Sequence, residues 1–203
     1  MPHLLIFTPV TPGGLQFATV QSVVGQCFAG EIRWEIGRRN PYPPPDTRNV
    51  LAQYAYAREL CLSGPYDALV TIEQDMILPP HALATLWEDG AAVVYGTYML
   101  RHGMPVINAL RHENKRNLGM SLSLYSGGLA AARKLTRLPV SGVGFGCTLI
   151  RRHVLEALAF RQDGSGNAPD MPFAQDCLRQ GVEQIARMDV ACGHIHEGEI
   201  LSV

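Results

Sequence analysis

The sequence is short of the features that announce several protein classes. It has no CxxC pair, and its five cysteines (Cys27, Cys61, Cys147, Cys177 and Cys192) are odd in number. That argues against a zinc ribbon or a closed disulfide framework. Each cysteine sits in an apolar stretch, as buried free thiols do, which implies a reducing compartment. No apolar run approaches the ~20 residues of a membrane helix. The first apolar run, residues 4–7, is too short for a signal peptide, so a cytoplasmic protein without a membrane span is expected. There is no internal repeat and no low-complexity tract. The net charge is only −1, so the chain as a whole advertises no polyanionic partner.

What is present is an ordinary globular balance, 47% apolar and 17% charged, over 203 residues. That composition excludes a disordered chain and suits one domain spanning 1–203, able to bury roughly 70% of its unfolded surface. The charge is uneven. Residues 101–152 hold nine Arg or Lys against one acid, Glu113, a segment of +8 that leaves −9 for the rest. Seven of the nine are arginines, suited to forked contacts with phosphate. A charge run more often decorates a solvated face.

Patterning predicts alternating strands and helices. Residues 4–7 form a continuous apolar run and fit a strand buried on both faces. Residues 15–26 read as a helix, 31–36 as an alternating strand, and 40–45 as a proline-rich loop. Asp46 or Thr47 can cap a helix over 48–62 that Gly64-Pro65 breaks. Residues 68–72 are the clearest strand. Pro79 and Pro80 open a helix to Glu88, and 91–100 form the next strand. This order implies an α/β fold, with a mainly parallel sheet covered by helices. Residues 107–110 and 122–125 fit a small antiparallel piece. A glycine-broken strand over 142–150 precedes a helix over 151–159. A helix over 171–180 is closed by Gly181, and a last strand covers 185–192.

Five constellations carry chemistry. Glu73-Gln74-Asp75 lies where a buried strand runs out, and ligands in open α/β sheets bind at the carboxyl ends of strands. Strand alternation would send Glu73 and Asp75 to one side and Gln74 to the other. Two carboxylates at one crevice suit a hard divalent cation shared with substrate phosphates. An acid that merely ends a strand is as common. Gly193-His194-Ile195-His196 follows another apolar strand and offers a ligand, or else an exposed tail. Asp170 precedes a helix, where a carboxylate caps N–H groups or serves as a general base. Asp176 is its rival, although six residues on a helix turn through about 240°. Arg48 opens a helix, a position that favours anions but also suits a plain surface arginine. Gly142-Val143-Gly144-Phe145-Gly146-Cys147 lacks a following GK[ST] and is no P-loop. Its alternate glycines permit close approach of a ligand or a backbone.

Taken in order, these pieces resemble inverting, family 2-like glycosyltransferases of GT-A fold. Arg48-Asn49 resembles the "RN" that opens the helix before the acidic strand. The run from Glu73 to Pro79 resembles the DxD segment with its proline-led helix. The run from Gly144 to Arg152 resembles the "GfG..LirR" stretch. Asp170, Phe173 and Gly181 resemble the "ED..F.......G" helix, and Cys192-Gly193-His194 the closing "..gH". The match spans about residues 4–196 and departs from the pattern at Glu73, a longer acid, and at Pro169, which replaces the motif glutamate.

The resemblance implies a nucleotide-binding half over about 1–100 and an acceptor half over about 101–203. It implies a nucleotide-sugar donor, UDP-linked in the first instance, and Mn2+ or Mg2+ held by Asp75 and His194. Glu73 would sit near the donor ribose or a metal water. Thr8, Pro9, Arg48, Gln74, Gly144, Phe145 and Gly146 would line the donor site, and Asp170 would be the base, with Asp176 as the alternative. The acceptor is left open among a carbohydrate, a lipid-linked, a protein or a modified DNA-base hydroxyl. A nucleotidyltransferase is the rival reading, but Thr8-Pro9-Val10-Thr11-Pro12-Gly13-Gly14 carries no Lys or Arg for a triphosphate. A non-catalytic nucleotide-sugar-binding module is the second rival.

Overall fold

The computed structural model describes residues 1–100, 108–111, 123–124, 134–163 and 168–202. Its spine is a seven-stranded sheet in the order β2-β1-β3-β10-β5-β11-β8. These strands are β1 (His3–Pro9), β2 (Glu31–Gly37), β3 (Ala68–Ile72), β5 (Val93–Thr97), β8 (Arg137–Pro139), β10 (Cys147–Arg151) and β11 (Gln184–Ala191). β1 runs parallel to β2 and β3, and β11 parallel to β5. β10 is antiparallel to both β3 and β5, and β8 to β11. Five of the seven strands therefore point one way. β3 and β5 are buried along their whole length, which explains why they are apolar runs rather than alternating ones.

Helices Phe17–Val24, Arg48–Ser63, Ala82–Glu88, Arg152–Ala157 and Asp170–Arg179 accompany the sheet. Two small three-stranded sheets complete the described fold. One has the order β13-β12-β4, from β4 (Met76–Ile77), β12 (Gly193–His196) and β13 (Glu199–Leu201). The other has the order β7-β6-β9, from β6 (Ala109–Arg111), β7 (Ser123–Leu124) and β9 (Gly142–Val143). All pairings in both are antiparallel. Among the described residues no helix is long and apolar enough to cross a membrane.

Some local expectations change. The glycine-broken strand over 142–150 is two strands in different sheets, β9 and β10, joined by the turn 144–146. Thr47 precedes the second helix but makes no side-chain cap. Asp46 caps instead, its Oδ1 accepting the Arg48 backbone N–H at 2.9 Å. The segment after residue 192 is a strand of a hairpin rather than a tail, with His194 buried and paired to Leu201. Gly198, at φ +84°, turns that hairpin in the left-handed region that glycine favours.

Beside a small second cluster built on Leu110 and Ala174, the main core cluster runs through the sheet and its covering helices. At its centre four aromatic rings pack with centroids 5.1–5.6 Å apart: Tyr54, Phe145, Phe160 and Phe173. Such contacts add to plain area burial. They join the Arg48–Ser63 helix, the 144–146 turn and the Asp170–Arg179 helix into one platform.

Candidate functional site

β1, β3 and β5 run the same way, so Pro9, Glu73 and Tyr98 all emerge at one edge of the sheet. β10 runs against them, so the turn that precedes it, 144–146, lies at that same edge. A cleft of about 430 Å³ opens there, lined by Pro9, Glu73, Asp75, Tyr98, Asn108, Asp170 and His194 among others. Its volume lies in the usual range for small-ligand sites.

The acidic segment reaches the cleft by a turn rather than by strand alternation. β3 ends at Ile72, and the Met76 N–H closes back on the Glu73 carbonyl at 3.2 Å. The Glu73 N–H is held by the Gly146 carbonyl at 3.0 Å. Glu73, Gln74 and Asp75 consequently all line the cleft, where alternation would have turned Gln74 away. Gln74 also works as a clamp. Its Oε1 accepts the Thr11 N–H at 2.7 Å, and its Nε2 donates to Thr11 Oγ1 at 2.9 Å. Gln53 does the same one residue earlier, accepting the Val10 N–H at 2.9 Å and donating to the Val10 carbonyl at 3.1 Å. The loop after β1 is thus fixed by two glutamines in place of a ladder.

Asp75 and His194 are both nearly enclosed, at 8% and 4% exposure. The pairing of β12 with β4 brings them together: His194 sits opposite Met76, and the Ile195 N–H donates to the Asp75 carbonyl at 2.9 Å. His194 Nε2 stands 3.7 Å from Asp75 Oδ2. Its Nδ1 lies 2.8 Å from the Met99 carbonyl. A carbonyl only accepts, so Nδ1 carries the proton, and in the neutral ring Nε2 keeps its lone pair toward Asp75. A backbone carbonyl orienting the far nitrogen is the usual support of a metal-binding histidine. Among the described residues no three of His, Cys, Asp and Glu are grouped closely enough to hold a metal alone. The pair fits a cation that takes its remaining ligands from water and a diphosphate, as magnesium commonly does.

Asp170 begins its helix and lines the same cleft. Its Oδ1 accepts the Met171 N–H at 2.8 Å. Burial pushes its carboxyl above the usual range, and its backbone N–H donors only partly offset this. Asp176, on the same helix, does not line the cleft. Arg161 grips it at 2.7 and 2.9 Å and Arg179 at 2.7 Å. The Arg161 guanidinium, then Arg179, hold its carboxyl below the usual range against the opposing effect of burial.

Three other expected donor-site residues lie elsewhere. Arg48 forks onto Asp46 and stacks on Tyr42, its guanidinium carbon 4.1 Å from the ring centroid. Thr8 is fully buried and accepts the Trp34 indole N–H at 3.0 Å. Phe145 belongs to the aromatic core. Gly144 and Gly146 act as spaces. A Cβ on Gly144 would collide with the Tyr98 hydroxyl and the Asn108 amide and stand 3.2 Å from Asp170 Oδ2. One on Gly146 would meet the Tyr98 ring at 2.7 Å. His196 is half-buried in the β12–β13 ladder and outside the cleft lining.

Tyr98 and Asn108 belong to none of the five sequence constellations. Tyr98 follows β5 as Glu73 follows β3, so the same strand-end rule points to it. Asn108 could not be found that way, because the Asn108 N–H reaches the Tyr98 carbonyl from a separate segment. The Tyr98 ring meets His194 edge-on, with centroids 5.5 Å apart at 80°. Its hydroxyl is raised well above the usual range by burial first, then by the charges of Glu73 and Asp170.

No family model matches the chain, and no curated protein matches it. Among solved structures it is similar to protein A197 from STIV, at 18% identity and TM-score 0.68, over 100% of this chain and 90% of that one. It is also similar to a glycosyltransferase involved in the glycosylation of the major capsid of PBCV-1, at 11% identity and TM-score 0.41, over 77% of this chain and 63% of that one. The first likeness shows a shared fold, and the second is too distant to add to it.

Proposed function

We propose that the chain is a glycosyltransferase of GT-A type, moving a sugar from a nucleotide-sugar donor, UDP-linked in the first instance, to an acceptor hydroxyl with inversion. One observation carries the reading. Asp75 and His194 stand together in the cleft, and a carboxylate of raised pKa, Asp170, lines the same cleft.

Asp75 Oδ2 and His194 Nε2 would hold Mn2+ or Mg2+. A cation held there would supply positive charge against the departing diphosphate. Glu73 stands beside that pair, placed to meet the donor ribose or a metal-bound water. Gln74 holds the loop after β1, and with it Pro9, against the donor. Asp170 takes the proton of the acceptor hydroxyl, and its raised pKa brings it nearer to working pH. Attack from the face opposite the leaving group inverts the anomeric carbon. Orientation of two substrates supplies much of the acceleration. A nucleotidyltransferase is disfavoured because the cleft lining contains no Lys or Arg among the described residues to meet a triphosphate.

The test is a thermal-shift screen of nucleotide-sugars with and without manganese, since a ligand of the native state raises the melting temperature by mass action. A shift that needs both manganese and Asp75, and disappears in Asp75→Ala, supports the reading. Equal shifts in wild type and Asp75→Ala remove the metal site. The acceptor is proposed only as a hydroxyl of a carbohydrate, lipid-linked or protein acceptor, ahead of a modified DNA base. Most of the basic segment, Lys115 and Arg116 included, lies outside the described residues.

A further inference from the structure

We propose that Tyr98 is a specificity-determining residue of this cleft, donating its phenolic proton to a hydroxyl oxygen of the transferred sugar. The inference rests on the glycosyltransferase reading and names a substrate contact within it.

The argument is a count of hydrogen-bond partners. A tyrosine hydroxyl has one proton to give and lone pairs to receive. The Asn108 Nδ2 donates into the Tyr98 oxygen, and the Gly146 N–H does so at 3.4 Å. Both bonds use lone pairs. Among the described residues none accepts the phenolic proton, although the side chain is only 4% exposed. An enclosed O–H that lacks an acceptor is costly, and a ligand that supplies one recovers that cost. A hydroxyl that already accepts two bonds is also polarised toward donation.

Position decides which ligand oxygen it meets. The Tyr98 ring is edge-on to His194, on the metal side of the cleft. Its hydroxyl shares the space above Gly144 with Asp170 Oδ2, on the base side. The donated proton therefore enters between the diphosphate end and the base, where the transferred sugar must lie. The attacking acceptor oxygen needs its lone pair for bond formation, so a donor here serves the sugar instead. Glycine at 144 is what lets the hydroxyl, the amide and the carboxylate share this space. A site built to satisfy a sugar hydroxyl rejects a sugar lacking it more strongly than a site that merely fits its shape.

The experiment is calorimetry with manganese, comparing a nucleoside diphosphate with the matching nucleotide-sugar, on wild type, Tyr98→Phe and Asn108→Ala. Tyr98→Phe keeps the ring against His194 and removes only the hydroxyl. The expected result is unchanged diphosphate affinity and about tenfold weaker nucleotide-sugar binding, the order of one neutral hydrogen bond. Asn108→Ala should give a smaller loss of the same kind. It carries the test alone if Tyr98→Phe melts far below wild type. Unchanged affinity for both ligands in Tyr98→Phe overturns the inference and leaves the glycosyltransferase reading standing. That would be the result if the Asn108 amide is turned over and its oxygen takes the proton. Equal losses for both ligands also overturn it, because Tyr98 would then act through His194. Failure of wild type to bind either ligand with manganese overturns the glycosyltransferase reading and the inference with it.

Discussion

Asp170 and Asp176 share a helix and have opposite electrostatic settings, so they predict opposite responses to the same substitution. The Asp170 carboxyl is raised by burial. Between the unfolded value and that raised one, the native state holds more protons than the unfolded chain. Stability is therefore lost as pH rises through that window. Asp170→Asn should melt above wild type at pH 7 while losing turnover by on the order of 10²–10⁴. Asp176 is depressed, chiefly by Arg161. Its contribution is present above the unfolded value and fades as pH falls through the folded one. Asp176→Asn should cost about 1 kcal/mol at pH 7, given its partly exposed partners, and the gap should close in acid. Melting curves from pH 3 to 8 on both variants decide this. A destabilised Asp170→Asn, or an inert Asp176→Asn, would show that the two roles are misassigned. Glu73, Asp75, Asp170 and His194 could be picked out of the sequence because each sits at the end of an element with a local signature. Tyr98 meets Asn108 only through tertiary folding, and the clamps made by Gln53 and Gln74 leave no periodic trace.

At the level of elements, those with a local signature are readable, and even the short antiparallel pair expected at 107–110 and 122–125 forms as β6 and β7. The Arg48–Ser63 helix and β3 lie within a residue of expectation, because capping chemistry and apolar runs are local. β4 and β12 are two and four residues long, too short for a pattern, and they exist because they pair with each other. That pairing is what seats His194 beside Asp75. The Arg48–Ser63 helix ends where Gly64-Pro65 predicts, but it carries a cap that the sequence does not disclose. The Arg152 guanidinium binds the carbonyls of Cys61, Leu62, Gly64 and Tyr66, the end that a helix leaves unsatisfied. Arg152→Ala should therefore destabilise by about 1.5–3 kcal/mol, the range for bonds to a charged group. Arg152→Lys, with its single point of charge, should recover only part of that. Urea titration reads both, and a neutral Arg152→Ala would mean that water replaces the cap. Gly146→Ala belongs to the same scale. Its Cβ would press on the Tyr98 ring and stand 3.1 Å from Met76 Sδ, so about 1–3 kcal/mol is expected from overpacking. The metal-dependent thermal shift should weaken with it, because Tyr98 supports His194. A full-sized shift would uncouple the turn from the metal side.

On the scale of the whole molecule, charge and topology set the remaining expectations. The +8 segment is offset elsewhere to a net −1, and it contains few aromatics to stack bases. Duplex and single-stranded DNA should accordingly show no measurable affinity at low salt. Binding that falls steeply with salt, and drops when Arg111, Lys115 and Arg116 are neutralised together, would instead place a phosphate-bearing acceptor on that segment. The sheet order has a different consequence. β10 lies between β3 and β5, so two strands that come early in the chain are separated by one that comes late. During synthesis β3 and β5 wait as open edges until residue 151 has emerged, and the loop closed by that docking spans most of the middle of the chain. Loops of that reach slow the search for native pairing and lengthen the time that sticky edges stay open. The first hundred residues are therefore not a unit that can mature first. A chain released at residue 100 should collect in aggregates, and the full chain should refold slowly for its size, its central pairings waiting on β10.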